Sequence, residues 1–97
     1  MSPERRTETI LVVDDEQMVL GLADSMLTRF GYRIIIAASG KAALLLLPNI
    51  EVDLALVDLV MPEMNGEELV GRIDELRPGL PATQFLDRYA SMLFDVI

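Results

Sequence analysis

The sequence predicts an α/β fold built on an open, doubly wound parallel sheet. Short apolar runs of strand length alternate with longer segments of helical period, which is the sequence form of that class. The runs are apolar at consecutive positions, as in strands covered on both faces. Two of them, Ile10 to Val13 and Leu54 to Val57, lead into acids, Asp14-Asp15-Glu16 and Asp58. Ligands of such sheets bind outside the carboxyl ends of the strands, where the strand order reverses, so these two sets of acids are expected to share one crevice.

Thr9 to Val13 reads as a buried strand. After the acids, Met18, Val19, Leu22, Ala23, Met26, Leu27 and Phe30 recur at three- and four-residue steps. That spacing gives an amphipathic helix, with Gly31 placed to cap its end. Ile34 to Ile36 forms a second strand, and Ser39 sits as the N-cap of a second helix that must stop before Pro48. Leu44 to Leu47 makes this helix apolar on more than one face, and burial between sheet and neighbours is the favoured reading over contact with a partner.

Leu54 to Val57 is the third strand. Asn65 then caps a third helix, with Glu68 three residues on in a capping-box pattern and Leu69, Val70, Ile73 and Leu76 as the buried stripe. Arg77-Pro78-Gly79 ends it. Beyond Leu80, Phe85, Leu86, Tyr89, Met92, Leu93, Val96 and Ile97 fall at helical spacing. The expectation is a helix over 83–96, with a short strand over 83–86 as the competing reading.

A polar leader, residues 1–8, precedes a single domain, residues 9–97. The chain has no cysteine and no histidine. This excludes thiol chemistry, the usual general base and most zinc or copper sites, leaving hard, oxygen-ligated cations such as magnesium. A net charge of −8 argues against direct binding of nucleic acid or an anionic membrane. No run is long enough to span a bilayer and the leader is not a secretory signal, so a cytoplasmic location is expected.

Each acid has a plain structural use. Asp14, Asp15 and Glu16 at a helix start complement its dipole, worth ~0.3–1 kcal/mol each, and Asp58 could end a strand before a proline turn. Together in one crevice they suit a different task. A cation bridging a carboxylate to an incoming phosphoryl group lowers their repulsion and aligns the displacement. Magnesium fits, since it takes one or two carboxylates, keeps waters and completes its shell with phosphate oxygens.

The run Ile10-Leu11-Val12-Val13-Asp14-Asp15-Glu16, the helix ending in Phe30-Gly31-Tyr32, and Asp58-Leu59-Val60-Met61-Pro62-Glu63-Met64-Asn65-Gly66 resemble the receiver domain of two-component response regulators over residues 9–81. The resemblance implies a flavodoxin-like parallel sheet, here shortened, with the C-terminal helix in place of the usual last strand and helix units. It further implies that a sensor histidine kinase supplies a phosphoryl group to Asp58. Asp14, Asp15, Asp58 and the backbone carbonyl of Val60 would hold Mg2+.

A full receiver has five strands and five helices, with a serine or threonine ending the fourth strand and a lysine ending the fifth. The only lysine here is Lys41, in the second helix. Aligning Tyr89-Ala90 with the family segment after the fourth strand puts Asp87 at the hydroxyl position, and Thr83 is a less convincing substitute. The shortened sheet predicts an open edge, covered by the segment from Phe85 to Ile97 or by a homodimer that exchanges it. A phosphoacceptor signalling module is therefore the leading expectation. A phosphorylation-independent interaction or dimerisation module is the alternative, and an aspartate-nucleophile phosphatase trails for want of a general acid beside Asp58.

Overall fold

Strands and helices alternate through residues 8–85, the part of the chain that the computed structural model describes. The elements are β1 (Thr9–Val13), α1 (Gln17–Arg29), β2 (Arg33–Ala37), α2 (Gly40–Leu46), a single 3-10 turn (Leu47–Asn49), β3 (Leu54–Asp58), α3 (Gly66–Leu76) and β4 (Ala82–Phe85). The sheet is parallel throughout, in the order β2-β1-β3-β4. The chain leaves β1 toward one edge and returns past it toward the other, so the strand order reverses between β1 and β3.

The period of two along each strand builds two cores. Leu11, Val13, Ala55 and Val57 face Ala43, Leu47, Leu69 and Ile73 of the α2 and α3 side. Ile10 and Val12 face Leu20 and Ala23 of α1. Covered on both faces, β1 is buried at all five positions, which is why its sequence is continuously apolar.

Local chemistry ends the helices as the sequence predicts. At the end of α1 the Tyr32 N–H donates to Leu27 O (3.2 Å) and the Gly31 N–H to Thr28 O (2.9 Å), with Gly31 at φ 93°. This Schellman arrangement needs a left-handed residue that glycine adopts without a Cβ clash, and it turns the chain into β2. Ser39 Oγ accepts from Ala42 N–H (3.0 Å) to cap α2. Asn65 Oδ1 accepts from Glu68 N–H (2.8 Å) to cap α3, while the Glu68 carboxylate pairs with Arg72 and does not complete a capping box. Within the leucine run, Leu47 is fully buried whereas Leu45 is 69% exposed, so burial holds for part of it only.

The structure corrects the expected helix over 83–96 at its start, where residues 82–85 form β4. Ala55 pairs with Ala82, Leu56 with Thr83, Val57 with Gln84 and Asp58 with Phe85. The N–H and C=O groups along that side of β3 need partners, and satisfying this ladder outweighs the helical spacing of the apolar residues that follow. Thr83 and Gln84 are exposed, as an outer strand tolerates, so the competing strand reading holds for residues 83–85. The rest of the expected helix, Asp87 and nearly all of the segment expected to cover the edge or be exchanged lie outside the described residues.

Candidate functional site

Asp14 directly follows β1 and Asp58 is the last residue of β3. Val13 and Val57, one residue earlier in each case, are register partners, so the two carboxylates leave adjacent strands at the same level. The ladder continues past the strand ends on both sides. Asp14 N–H donates to Ala37 O (3.1 Å) and Leu59 N–H to Phe85 O (2.7 Å). Both acids are therefore fixed by the sheet itself, at the point where its order reverses.

Asp14 and Asp58 are fully buried and Asp15 is exposed. One carboxylate oxygen from each of the three lies within 4.8 Å of the others. Each buried carboxylate also binds the chain two residues on, a short-range pattern typical of aspartate. Asp14 Oδ1 accepts from Glu16 N–H at 2.8 Å and Asp58 Oδ1 from Val60 N–H at 3.4 Å. These bonds aim the side chains and hold the start of the following loops.

Three acids so close, two of them out of water, are a costly arrangement unless a positive charge or a proton enters it. The donor set is all oxygen, with buried and exposed members side by side, which suits a hard divalent cation that retains part of its water shell. The residues present fit magnesium.

The loop from Leu59 to Asn65 is pinned at several points. Met61 is buried in the larger core, and the Gly66 N–H donates to Leu59 O (2.9 Å). A Cβ on Gly66 would lie 2.5 Å from Asp58 O and 2.9 Å from Leu59 Cα, so only glycine lets α3 start against the backbone of the acid. Glu63 adopts φ 70°, a left-handed conformation sparsely used by residues other than glycine, asparagine and aspartate. Met64 reaches across to α2, where a Cβ on Gly40 would meet its Sδ at 2.9 Å.

Asp14, Asp15 and Asp58 are thus brought together, with Val60 attached to Asp58 through its N–H. Thr83 is not at the strand end. It stands beside Leu56, two residues before Asp58, and is not positioned as the hydroxyl of this crevice. Lys41 is exposed in the first turn of α2. The close packing of Gly66 on Asp58 was not deduced from the sequence, and its only signal there was the Asn65-Gly66 pair after a proline turn.

Comparison with known proteins agrees with this geometry. The family model for the response regulator receiver domain matches residues 10–85. The transcriptional regulatory protein GlrR of Escherichia coli K12 is 40% identical over 72 residues, 74% of this chain and 16% of GlrR. The response regulator SaeR of Staphylococcus aureus USA300 is 33% identical over 72 residues, 74% of this chain and 31% of SaeR. The chain therefore spans under a third of these relatives. Among solved structures, a response regulator receiver domain protein from Methanospirillum hungatei JF-1 superposes with TM-score 0.79 at 29% identity, over 92% of this chain and 76% of that one. The response regulator TrrA of Thermotoga maritima, solved in complex with Mg2+-BeF, superposes with TM-score 0.72 at 32% identity, over 92% of this chain and 79% of that one.

Proposed function

Because this chain belongs to the response regulator receiver domain family, we propose that it accepts a phosphoryl group on Asp58 from a sensor histidine kinase and signals through protein contacts. Response regulators interact with sensor histidine kinases, and receiver domains are signalling modules that bind Mg2+ at an acidic pocket. The observation that carries the reading for this chain is the convergence of Asp14, Asp15 and Asp58 at the β1/β3 reversal.

In this reading a carboxylate oxygen of Asp58 forms a bond to phosphorus while the bond from phosphorus to the donor histidine nitrogen breaks. The imidazole leaves and takes a proton from solvent, and the product is an acyl phosphate. Asp14, Asp15, Asp58 and the Val60 carbonyl are the groups that would hold Mg2+. Bound there, the ion supplies charge neutralisation between the carboxylate and the phosphoryl oxygens. The sheet fixes the Asp58 carboxylate before reaction, and burial keeps bulk water from its inner side, which removes reorganisation from the barrier. Among the described residues no helix is long and apolar enough to cross a membrane. A cytoplasmic location is a separate part of the proposal. A homodimer that exchanges the C-terminal segment is a further, separate part of the proposal, and light scattering over a range of concentrations tests it.

Intact-protein mass after incubation with an acyl phosphate donor and Mg2+ tests the central step. One added phosphoryl group, absent in Asp58→Asn and absent with chelator, is the expected result. No adduct on folded protein across donors and times overturns phosphoryl acceptance.

A further inference from the structure

The chain has two asparagines, Asn49 and Asn65. Asn65 precedes a glycine, so the next backbone nitrogen can reach its side-chain amide with no β-carbon in the way, whereas Asn49 precedes the stiff, branched Ile50. The fold demands the Asn65-Gly66 pair. A Cβ at position 66 would lie 2.5 Å from Asp58 O and 2.9 Å from Leu59 Cα, and the start of α3 needs the acceptor that Asn65 offers to Glu68 N–H (2.8 Å). The packing that sets α3 against the acid therefore leaves an asparagine beside a glycine, with Asn65 exposed to water.

We propose that Asn65 is a site of spontaneous deamidation, gated by the first turn of α3, whose isoaspartyl product disrupts the loop behind Asp58. The proposal needs neither a metal nor phosphoryl transfer. In the reaction the Gly66 nitrogen gives up its proton to solvent and bonds to the side-chain carbonyl carbon of Asn65, and the side-chain nitrogen takes up a proton and leaves as ammonia. Water then opens the cyclic imide at either carbonyl, giving aspartate or isoaspartate. Two hydrogen bonds oppose ring closure. Gly66 N–H donates to Leu59 O (2.9 Å), a bond that the imide, with no proton on that nitrogen, cannot make. Asn65 Oδ1 is held by Glu68 N–H, and the ring would draw it off the cap. The backbone at Asn65 is extended, with ψ 168°, which turns the Gly66 nitrogen out of the plane the ring needs. Deamidation therefore waits on local opening of the turn. Its two products differ in consequence. Aspartate keeps the cap acceptor and adds a charge that the helix dipole favours. Isoaspartate routes the main chain through the former side chain, inserting a methylene just before Gly66, which is fitted against the backbone of Asp58 and Leu59.

The test is peptide mapping of the whole chain incubated in mildly alkaline buffer, folded and in urea, with Asn65→Ser and Asn49→Ser beside it. Serine keeps a cap acceptor at position 65 but has no amide to lose. An amide-to-acid mass change at Asn65 is expected, absent in Asn65→Ser and unaffected by Asn49→Ser. It should be about tenfold slower in the folded chain than in urea, because two hydrogen bonds must open first. Chain aged in urea and returned to buffer should carry isoaspartate, detected by enzymatic methyl transfer, and should melt below fresh protein. Asn65→Asp made directly should melt with fresh protein, and Asn65→Ser taken through the same ageing controls for damage elsewhere. No reaction at Asn65 in urea, an equal rate in the folded chain, or an isoaspartyl chain as stable as fresh protein overturns the proposal.

Discussion

At the scale of single residues, Gly66 is the least replaceable position of the site. The sub-3 Å approach of its missing Cβ to Asp58 O and Leu59 Cα is to backbone atoms, which cannot swing away. Gly66→Ala is expected to cost about 1–3 kcal/mol in urea unfolding, as overpacking does, and to lower phosphoryl uptake because the backbone of Asp58 is among the displaced atoms. Gly71→Ala is the matched control. It lies in α3 with nothing within 4 Å of a new Cβ, and should raise stability by ~0.5–1 kcal/mol through helix propensity. The two glycines stand five positions apart in one helix and look alike in the sequence. Their opposite signs come from tertiary packing, which no local pattern records. Asp14 and Asp58, by contrast, were legible, because each follows a continuous apolar run and a buried parallel strand must deliver what comes next to the sheet's carboxyl end.

At the scale of elements, Arg77 joins the ends of two helices. Its guanidinium donates to Leu47 O at 2.7 Å and to Ile50 O, carbonyls of the turn that closes α2, while its own N–H closes α3 on Ile73 O. Carbonyls at a helix end are poorly satisfied within it, Leu47 O only by a long bond from the Ile50 N–H (3.5 Å), and the Arg77 Nη2 reaches both carbonyls at once. Arg77→Ala should therefore destabilise the chain by about 1.5–3 kcal/mol in chemical denaturation, the range for hydrogen bonds to a charged group. Arg77→Lys should recover only part of that. The sequence marked Arg77 as a helix end but not this bond, since its partners lie about thirty residues away. The same limit left β4 as the competing reading only, behind a helix. Its four residues carry no apolar alternation, and Thr83 and Gln84 face solvent, so only the ladder offered by β3 shows that they form a strand. α1, α2 and α3 were readable because each has its own period, cap or stop signal in the chain.

At the scale of the whole molecule, the order β2-β1-β3-β4 is what turns separate acids into one crevice. Sequence alternation implied such a sheet, and the burial of β1 on both faces agrees with it, but the shared level of Asp14 and Asp58 rests on the Val13 to Val57 pairing. This concentration of charge is expected to make stability depend on Mg2+. In chelator, Asp14→Asn should be at least as stable as the parent, gaining on the order of 1 kcal/mol from relief of like-charge repulsion. With saturating Mg2+ the parent should rise in Tm and the variant much less, since only a ligand bound to the folded form adds to its stability. A parent Tm insensitive to Mg2+ would contradict this. The most direct measurement is a Mg2+ titration of the isotope-labelled chain followed by NMR at the amides of Asp14, Asp15, Asp58 and Val60, with Asp58→Asn beside it. The two strand ends should shift together with one saturating constant, and Asp58→Asn should weaken the response at Asp14 as well as at position 58. Shifts confined to one strand end, or spread evenly over the acidic surface, would show that the carboxylates do not form a common site.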